Sequence, residues 1–360
     1  MKKIAVITMH FVKNYGSVLQ TYATQTIFEK LGFECNIIDY WRKGDLDENL
    51  LNSWSQGRSF LAKIVMIPTI NKWKKVFNSF LSEYVILTKN KYIEGKNDFV
   101  INTVEADIYC VGSDQVWNTT YNGKLMPEFF LDFTNSPNKF AFASSIGKTE
   151  LNDEEKAFFK EKLEKFKAIS VREESAVSIL NKLGLKNIYN ILDPTLFLND
   201  LEWDKIASSR VIKKKYCLIY QLNGNKQFDQ YAKKFAKKND LKLVRLCTRY
   251  DQFLKSGKGI FPNVNEFVSL FKYADYIITD SFHGTAFSIN LNKNFSVIYP
   301  KRYSTRLESI LDLTNLKDRV VIDWNNFDLR NIDYTKVNLI MNKKREESYE
   351  WLNNTLNLMK

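Results

Sequence analysis

Histidine, cysteine, proline and glycine are all sparse: two, four, six and thirteen in 360 residues. Cys35, Cys110, Cys217 and Cys247 stand far apart with no Cys-x-x-Cys pair. That spacing offers no zinc pattern and no disulfide framework, and the cysteines read as reduced, small apolar residues of core strands. No Gly-x-Gly-x-x-Gly follows the first strand, so a dinucleotide site is unsupported. No RNP, helix-turn-helix or finger pattern accompanies the positive charge, which weighs against nucleic acid as a partner. No apolar run approaches the roughly 18 residues of a membrane span. The opening Met1–Thr8 is too short for a signal peptide and leads into a patterned helix. A cytoplasmic protein is expected, with peripheral contact at the inner face of the membrane left open.

What is abundant is apolar and basic. At 44 % hydrophobic and 26 % charged, the chain can bury full cores, and its length suggests about two domains. Lys and Arg total 53 against 41 Asp and Glu, a formal +12. The surplus favours anionic partners such as phosphorylated metabolites, although lysines so scattered also serve solubility.

Strand and helix periods alternate along most of the chain. Ile4 to Thr8 reads as a strand, Val18 to Leu31 as a helix closed by Gly32, and Phe33 to Tyr40 as a strand. Residues 45–100 break this rhythm: Trp54, Phe60, Trp73, Phe77 and Phe80 interleave with Lys63, Lys72, Lys74 and Lys75. The segment reads as a helical insertion. It packs as a cover on its domain, or faces a membrane or an acceptor. The alternation resumes at 107–111, 139–144 and 168–171, and Asp193-Pro194 is a natural break. Further strands are expected at 216–220, 241–246, 276–279 and 295–299, with helices between them. The expected fold is α/β: two Rossmann-like domains with parallel sheets, 1–194 and 195–337, and a helix at 338–360 that folds back onto the first.

Parallel strands deliver their carboxyl ends to one rim, where ligands bind in such folds. Three loops on the first rim carry polar residues a core would not need: Asn14-Tyr15-Gly16-Ser17, Gly112 to Asn118, and Arg172-Glu173. On the second rim, Asp280-Ser281-Phe282-His283-Gly284-Thr285 places a histidine where a strand ends and a helix begins. Arg302 and Arg306, after the last strand, either add positive charge there or remain solvated. The pattern suggests an anion-binding cleft between the domains, with Arg172 as charge clamp and His283 as proton donor.

These residues resemble a family. Asn14-Tyr15-Gly16-Ser17-Val18-Leu19-Gln20, Gly112-Ser113-Asp114-Gln115-Val116-Trp117-Asn118, Ser170-Val171-Arg172-Glu173, Leu192-Asp193-Pro194-Thr195-Leu196 and Thr279-Asp280-Ser281-Phe282-His283-Gly284-Thr285 look, in order, like the motifs of polysaccharide pyruvyltransferases. The resemblance spans residues 4 to about 320 and implies a fold like that of GT-B glycosyltransferases, with the site in the inter-domain cleft. It implies transfer of pyruvate from phosphoenolpyruvate to a sugar of a cell-surface polysaccharide or its lipid-linked precursor, forming a cyclic ketal. No metal or cofactor is implied.

On that resemblance the family's site histidine falls on His283. Arg172 would hold the donor's carboxylate or phosphate, supported by the Gly284 and Thr285 N–H groups. Asp114 is a candidate base or sugar-hydroxyl acceptor, and equally a loop-capping aspartate. Asn14, Tyr15, Gly16, Ser17, Ser113, Gln115, Trp117, Glu173 and Ser281 complete the expected substrate contacts. Some relatives carry Arg where this chain has Ser281, and Arg302 or Arg306 would then supply the missing cation. His10 matches no family catalytic position and reads as a loop residue. Two other functions stay open: a glycosyltransferase using a nucleotide sugar on the same scaffold, and a non-catalytic glycan-binding or assembly protein.

Overall fold

The computed structural model describes residues 1–57, 59–300, 305–329 and 331–359. The chain divides into two compact units, one comprising Met1–Gly57, Phe77–Phe197 and Lys343–Lys360, the other Arg58–Val76 and Leu198–Asn342. Among the described residues, no helix is long and apolar enough to cross a membrane.

The first unit is built on β1 (Lys3–Ile7), β2 (Glu34–Trp41), β3 (Leu87–Ile93), β4 (Ile108–Val111), β5 (Lys139–Ser144), β6 (Ala168–Val171) and β7 (Ile188–Asn190). They form one sheet in the order β3-β2-β1-β4-β5-β6-β7, every pairing parallel. The central strands β4, β5 and β6 are buried along their whole length. That explains why they read as continuous apolar runs rather than alternating ones: helices cover both faces. Chief among these are α1 (Tyr15–Lys30), α2 (Phe60–Tyr84), α3 (Asp153–Leu163) and α4 (Glu174–Lys182). Ile7, Ile38, Val111 and Ile169 of the sheet pack with Trp117, Phe129, Phe130 and Phe159 in the main core.

The helical reading of residues 45–100 holds at Leu50–Ser55, along α2 and at Asp98–Ile101, and fails between the last two. Leu87–Ile93 forms β3, the edge strand beside β2. Its sequence is mostly polar, with Lys89, Asn90 and Lys91 exposed, which hides the strand from an apolar-run search while blunting the open edge. α2 itself spans both units: its residues to Val76 go with the second and those from Phe77 with the first. Trp73 is an anchor within the second unit, its Nε1 donating to the Thr248 carbonyl at 2.6 Å. Thr69 Oγ1 accepts from the Tyr250 N–H at 3.1 Å.

The second unit carries β8 (Tyr216–Tyr220), β9 (Lys242–Leu246), β10 (Lys258–Ile260), β11 (Tyr276–Thr279) and β12 (Phe295–Val297), ordered β10-β9-β8-β11-β12 and parallel throughout. Its helices include α5 (Lys226–Lys238), α6 (Val264–Lys272), α7 (Phe282–Asn290) and α8 (Thr305–Leu313). Ile219, Phe228, Phe235, Tyr276 and Ile278 make its core. The long α9 (Tyr334–Asn357) begins with the second unit and, from Lys343, belongs to the first. There Arg345 Nε donates to the Leu196 carbonyl at 2.7 Å, Ser348 Oγ accepts from the Leu192 N–H at 3.3 Å, and Trp351 and Leu352 are buried.

In each sheet the strand order reverses once, between β1 and β4 in the first and between β8 and β11 in the second. Loops leave such a reversal in opposite directions and open a crevice at the strand carboxyl ends.

Candidate functional site

Beside the first reversal point, at the carboxyl ends of β4, β6 and β7, lies a buried charge cluster. Arg172, just past β6, bonds through Nη1 to Asp193 Oδ2 and to Ser113 Oγ (3.3 Å), and through Nη2 to Asp114 Oδ1 (3.2 Å). The side chains of Arg172, Asp114 and Asp193 are 1 %, 8 % and 0 % exposed. Burial alone would lower the guanidinium's pKa; Asp193 first, then Asp114 and Glu173, outweigh it and hold Arg172 above its ordinary value. The sequence expectation of an open anion clamp therefore meets an arginine already matched by two carboxylates. Its visible task is to orient Asp114.

Asp114 is held on every side. Its Oδ2 accepts from Ser17 Oγ at 2.6 Å and its Oδ1 from the Gln115 N–H at 2.9 Å. The Ser17 bond spans the reversal from the start of α1 to the end of β4. Asp114 has φ 75°, and Ala143 on the neighbouring strand has φ 53° at the register shift between Ala141 and Ser144. Non-glycine residues in the left-handed region are strained and concentrate at functional sites, although an aspartate tolerates it better than an alanine.

The remaining expected contacts of this rim are mostly structural. Asn14 caps α1, its Oδ1 accepting from the Gly16 N–H at 2.8 Å, and Tyr15 is buried edge-on to Phe77. Gln115 Oε1 accepts from Asn118 Nδ2 at 2.7 Å. Trp117 turns into the core: it is 1 % exposed, donates to the Phe129 carbonyl at 2.8 Å and stacks on Phe130. Glu173 Oε1 accepts from Ser145 Oγ and from the Ile146 and Gly147 N–H groups at 2.8–2.9 Å, which fixes the loop after β5.

The second reversal point is built around Asp280 without an arginine bonded to it among the described residues. Asp280 Oδ1 accepts from the Leu222 N–H at 2.7 Å, and Oδ2 accepts from the Asn223 N–H at 2.9 Å and Asn223 Nδ2 at 3.1 Å. These bonds tie the end of β11 to the end of β8. Burial raises the Asp280 carboxyl above its usual range despite those donors. Beside it the Tyr220 phenol is pushed well up by burial and by Asp280's charge, so it stays protonated.

His283 lies within the first turn of α7 and not ahead of it, because Ser281 is the N-cap. The Gly284 N–H donates to Ser281 Oγ at 3.3 Å and the Thr285 N–H to the Ser281 carbonyl at 2.9 Å. The two amides expected to support an anion thus serve the cap. Gly284 is required: a Cβ there would collide with Thr279 Oγ1 and meet the Tyr220 ring at 3.0 Å. This close approach seats His283, 7 % exposed, over the strand end, with its ring edge-on to Phe282 at 5.2 Å. Thr285 is fully buried. The Arg306 guanidinium lies 5.7 Å from the Phe282 ring centre, so α8 brings a cation to this rim. Arg302 lies outside the described residues.

Three residues stand out that the sequence reading assigns no site role. Asp193 belongs to a family motif and marks the domain break in the sequence; its place after β7 matches the other strand-end loops. Asp280 stands where Asp114 stands, at the end of the strand beyond the reversal. His10, read as a loop residue, is fully buried, with Nε2 3.1 Å from Asp39 Oδ1. Burial raises the Asp39 pKa, but bonds from His10 and Trp41 and the charge of Lys91 bring it below its ordinary value. Among the described residues, no three His, Cys, Asp or Glu side chains are grouped to hold a metal ion.

A family model for polysaccharide pyruvyl transferase matches residues 14–302, from the α1 cap across both reversal points. The chain belongs to the polysaccharide pyruvyl transferase family. Compared with curated proteins, this transferase shows no significant sequence match. Among solved structures it resembles the UDP-GlcNAc 2-epimerase from Neisseria meningitidis bound to UDP-GlcNAc (TM-score 0.51, 12 % identity, 99 % of each chain covered). It also resembles the S. aureus MnaA–UDP co-structure (TM-score 0.49, 13 % identity, 95 % of this chain and 88 % of that one). At 12 % identity the likeness to the Neisseria meningitidis enzyme is one of fold alone: the α/β construction of two parallel, Rossmann-like sheets that the sequence pattern predicts, of the GT-B kind that the family resemblance implies.

Proposed function

We propose that the chain transfers the pyruvyl group of phosphoenolpyruvate to two hydroxyls of one sugar, in a cell-surface polysaccharide or its lipid-linked precursor, forming a cyclic ketal. Family membership supports a polysaccharide acceptor. The observation that carries the reaction is His283, nearly buried in the first turn of α7 at the second reversal point.

The enol phosphate of phosphoenolpyruvate is weakly basic at its methylene carbon, so a positioned acid is what the reaction most needs. His283 gives a proton to that carbon, which becomes the methyl group, and the adjacent carbon becomes oxocarbenium-like. A sugar hydroxyl adds to it and loses its proton. The C–O bond to phosphate then breaks, the electron pair leaving with phosphate, and the second hydroxyl closes the ring. Of the two hydroxyl protons, one restores His283 and the other leaves on phosphate. Arg306, close to Phe282, is the described cation suited to the donor's anionic groups. No cofactor takes part in this scheme, and phosphoenolpyruvate is the donor substrate.

The test begins with thermal-shift titration of the full chain with phosphoenolpyruvate beside UDP-, GDP- and dTDP-sugars, since a ligand of the folded state raises the midpoint. Phosphoenolpyruvate should stabilise it. With an acceptor sugar, phosphate release should accompany ketal formation. His283→Ala should cut the rate by about 10²–10⁴-fold, the size of a general-acid contribution, while leaving the unliganded melting midpoint unchanged. Normal turnover in that variant removes the mechanism. The Neisseria meningitidis neighbour is described with a bound nucleotide sugar, which makes sugar-nucleotide-dependent transfer the second reading. Stabilisation by a nucleotide sugar alone, with release of a nucleoside diphosphate, would favour it.

A further inference from the structure

One helix face of the second unit is apolar and open to water. Near the start of α2, Phe60 is 76 % exposed, Leu61 73 %, Ile64 47 %, Val65 64 % and Ile67 41 %. The opposite face is buried through Met66, Thr69, Ile70 and Trp73, and the Trp73 bond to Thr248 fixes which side faces out. A soluble surface rarely carries so many neighbouring large apolar side chains without a use for them.

The exposed side reads as two adjacent stripes at helical spacing. Phe60, Ile64, Ile67, Asn71 and Lys75 form one, and Leu61, Val65, Pro68 and the half-buried Lys72, whose Nζ lies 5.8 Å from the Phe261 ring centre, the other. Each begins apolar and ends basic, and Lys74 flanks them. From Ile64 to Lys75 the helix rises about 16 Å, enough for its apolar end to enter a bilayer while its lysines remain among the headgroups. The charge pattern is one-sided. Between Glu48 and Glu83 there is no acidic residue, while Arg58, Lys63, Lys72, Lys74 and Lys75 all fall in that interval. A protein partner would be expected to meet some mixed charge, whereas a uniformly basic border around an apolar face complements an anionic lipid surface.

From this face and its charge we infer that the amino-terminal half of α2 docks the protein on anionic membranes. Phe60, Leu61, Ile64 and Val65 insert into the acyl boundary, and Lys72, Lys74 and Lys75 rest on the lipid phosphates. The inference stands apart from the catalytic reading and uses none of its residues.

The experiment is co-sedimentation of the full chain with vesicles of phosphatidylcholine alone and with about one-third phosphatidylglycerol. Binding should require the anionic lipid and weaken as salt rises. Ile64→Glu with Val65→Glu should abolish it; both side chains face water, so the thermal midpoint should hold. Lys74→Gln with Lys75→Gln should weaken it by roughly tenfold or more. Absence of binding to anionic vesicles, or equal binding by the double-glutamate variant, overturns the proposal. So does equal binding to neutral vesicles. If light scattering instead finds a dimer that the glutamates dissociate, with no vesicle binding, the face belongs to a second copy of the chain and the membrane assignment falls.

Discussion

The two sheets reverse strand order in the same way and stabilise the reversal with opposite electrostatics. Beside the first reversal an arginine at the end of β6 is locked by Asp114, after β4, and Asp193, after β7, one cation against two buried carboxylates. Between β8 and β11 a lone Asp280 is held by backbone amides, and burial opposes its charge. The first arrangement makes a rigid platform whose cation is already committed. The second keeps a protonatable carboxyl, a phenol and a histidine at the neighbouring ends of β8 and β11, the inventory that proton-transfer chemistry calls for. Equivalent positions in a repeated topology thus carry different chemistry, one a buried ion cluster and the other a carboxyl that burial pushes toward its neutral form.

The sharpest way to break this contrast is Arg172→Ala. It would leave two carboxylates buried without their cation, and the first unit should lose about 3–5 kcal/mol in denaturant unfolding. Arg172→Lys should recover only part of that, because one ammonium cannot reproduce the fork to both aspartates. If Arg172→Ala is as stable as the parent, the cluster is not a structural lock and an open anion site regains its place.

Gly284→Ala comes next. The added methyl strikes Thr279 Oγ1, so α7 must shift outward at a cost of about 1–3 kcal/mol. Because His283 rides on that turn, pyruvyl transfer should fall more steeply than stability does. A variant with parental activity would separate His283's position from the packing of Gly284.

The smallest effect is in pH. Asp39 is lowered in the fold from 3.8, so its stabilisation is present above that value and is lost as pH falls through the folded pKa. Asp280 is raised from the same 3.8, so its contribution is complete below that value and is lost as pH rises through the folded pKa. Acidification from neutral pH should therefore favour β8 and β11 first and weaken β1 and β2 only near and below 3.8. Hydrogen exchange across a pH series, corrected for intrinsic rates, reads this directly. Simultaneous loss of protection in both sheets would contradict the opposed signs.

Much of the scaffold is legible because buried parallel strands are written as short apolar runs with polar ends. The strands at 108–111, 139–144, 168–171, 216–220 and 276–279 are examples. Edge strands are harder to see: β3 (Leu-Thr-Lys-Asn-Lys-Tyr-Ile) and β10 (Lys-Gly-Ile) lack the covered face that would impose an apolar pattern. The polar loops of the rims were also visible, since residues such as Ser17, Asp114 and Arg172 have no reason to stand between core segments. Who bonds to whom was not. The Arg172–Asp193 pair joins residues that are distant in sequence and meet only when β6 and β7 lie side by side. The capping duty of Ser281, likewise, depends on where α7 begins, and a one-turn difference in that boundary decides whether two amides face a ligand or a side chain.

The route of α9 has a consequence for how the molecule is made. The residues that cover Leu192, Leu196 and Phe197 of the first unit lie at Arg345, Ser348, Tyr349 and beyond, after every strand of the second. A ribosome must therefore deliver both sheets before the first one receives its closing helix. Until then the apolar edge around Leu196 and Phe197 stays uncovered on the nascent chain, a stretch of time in which a chaperone has something to hold.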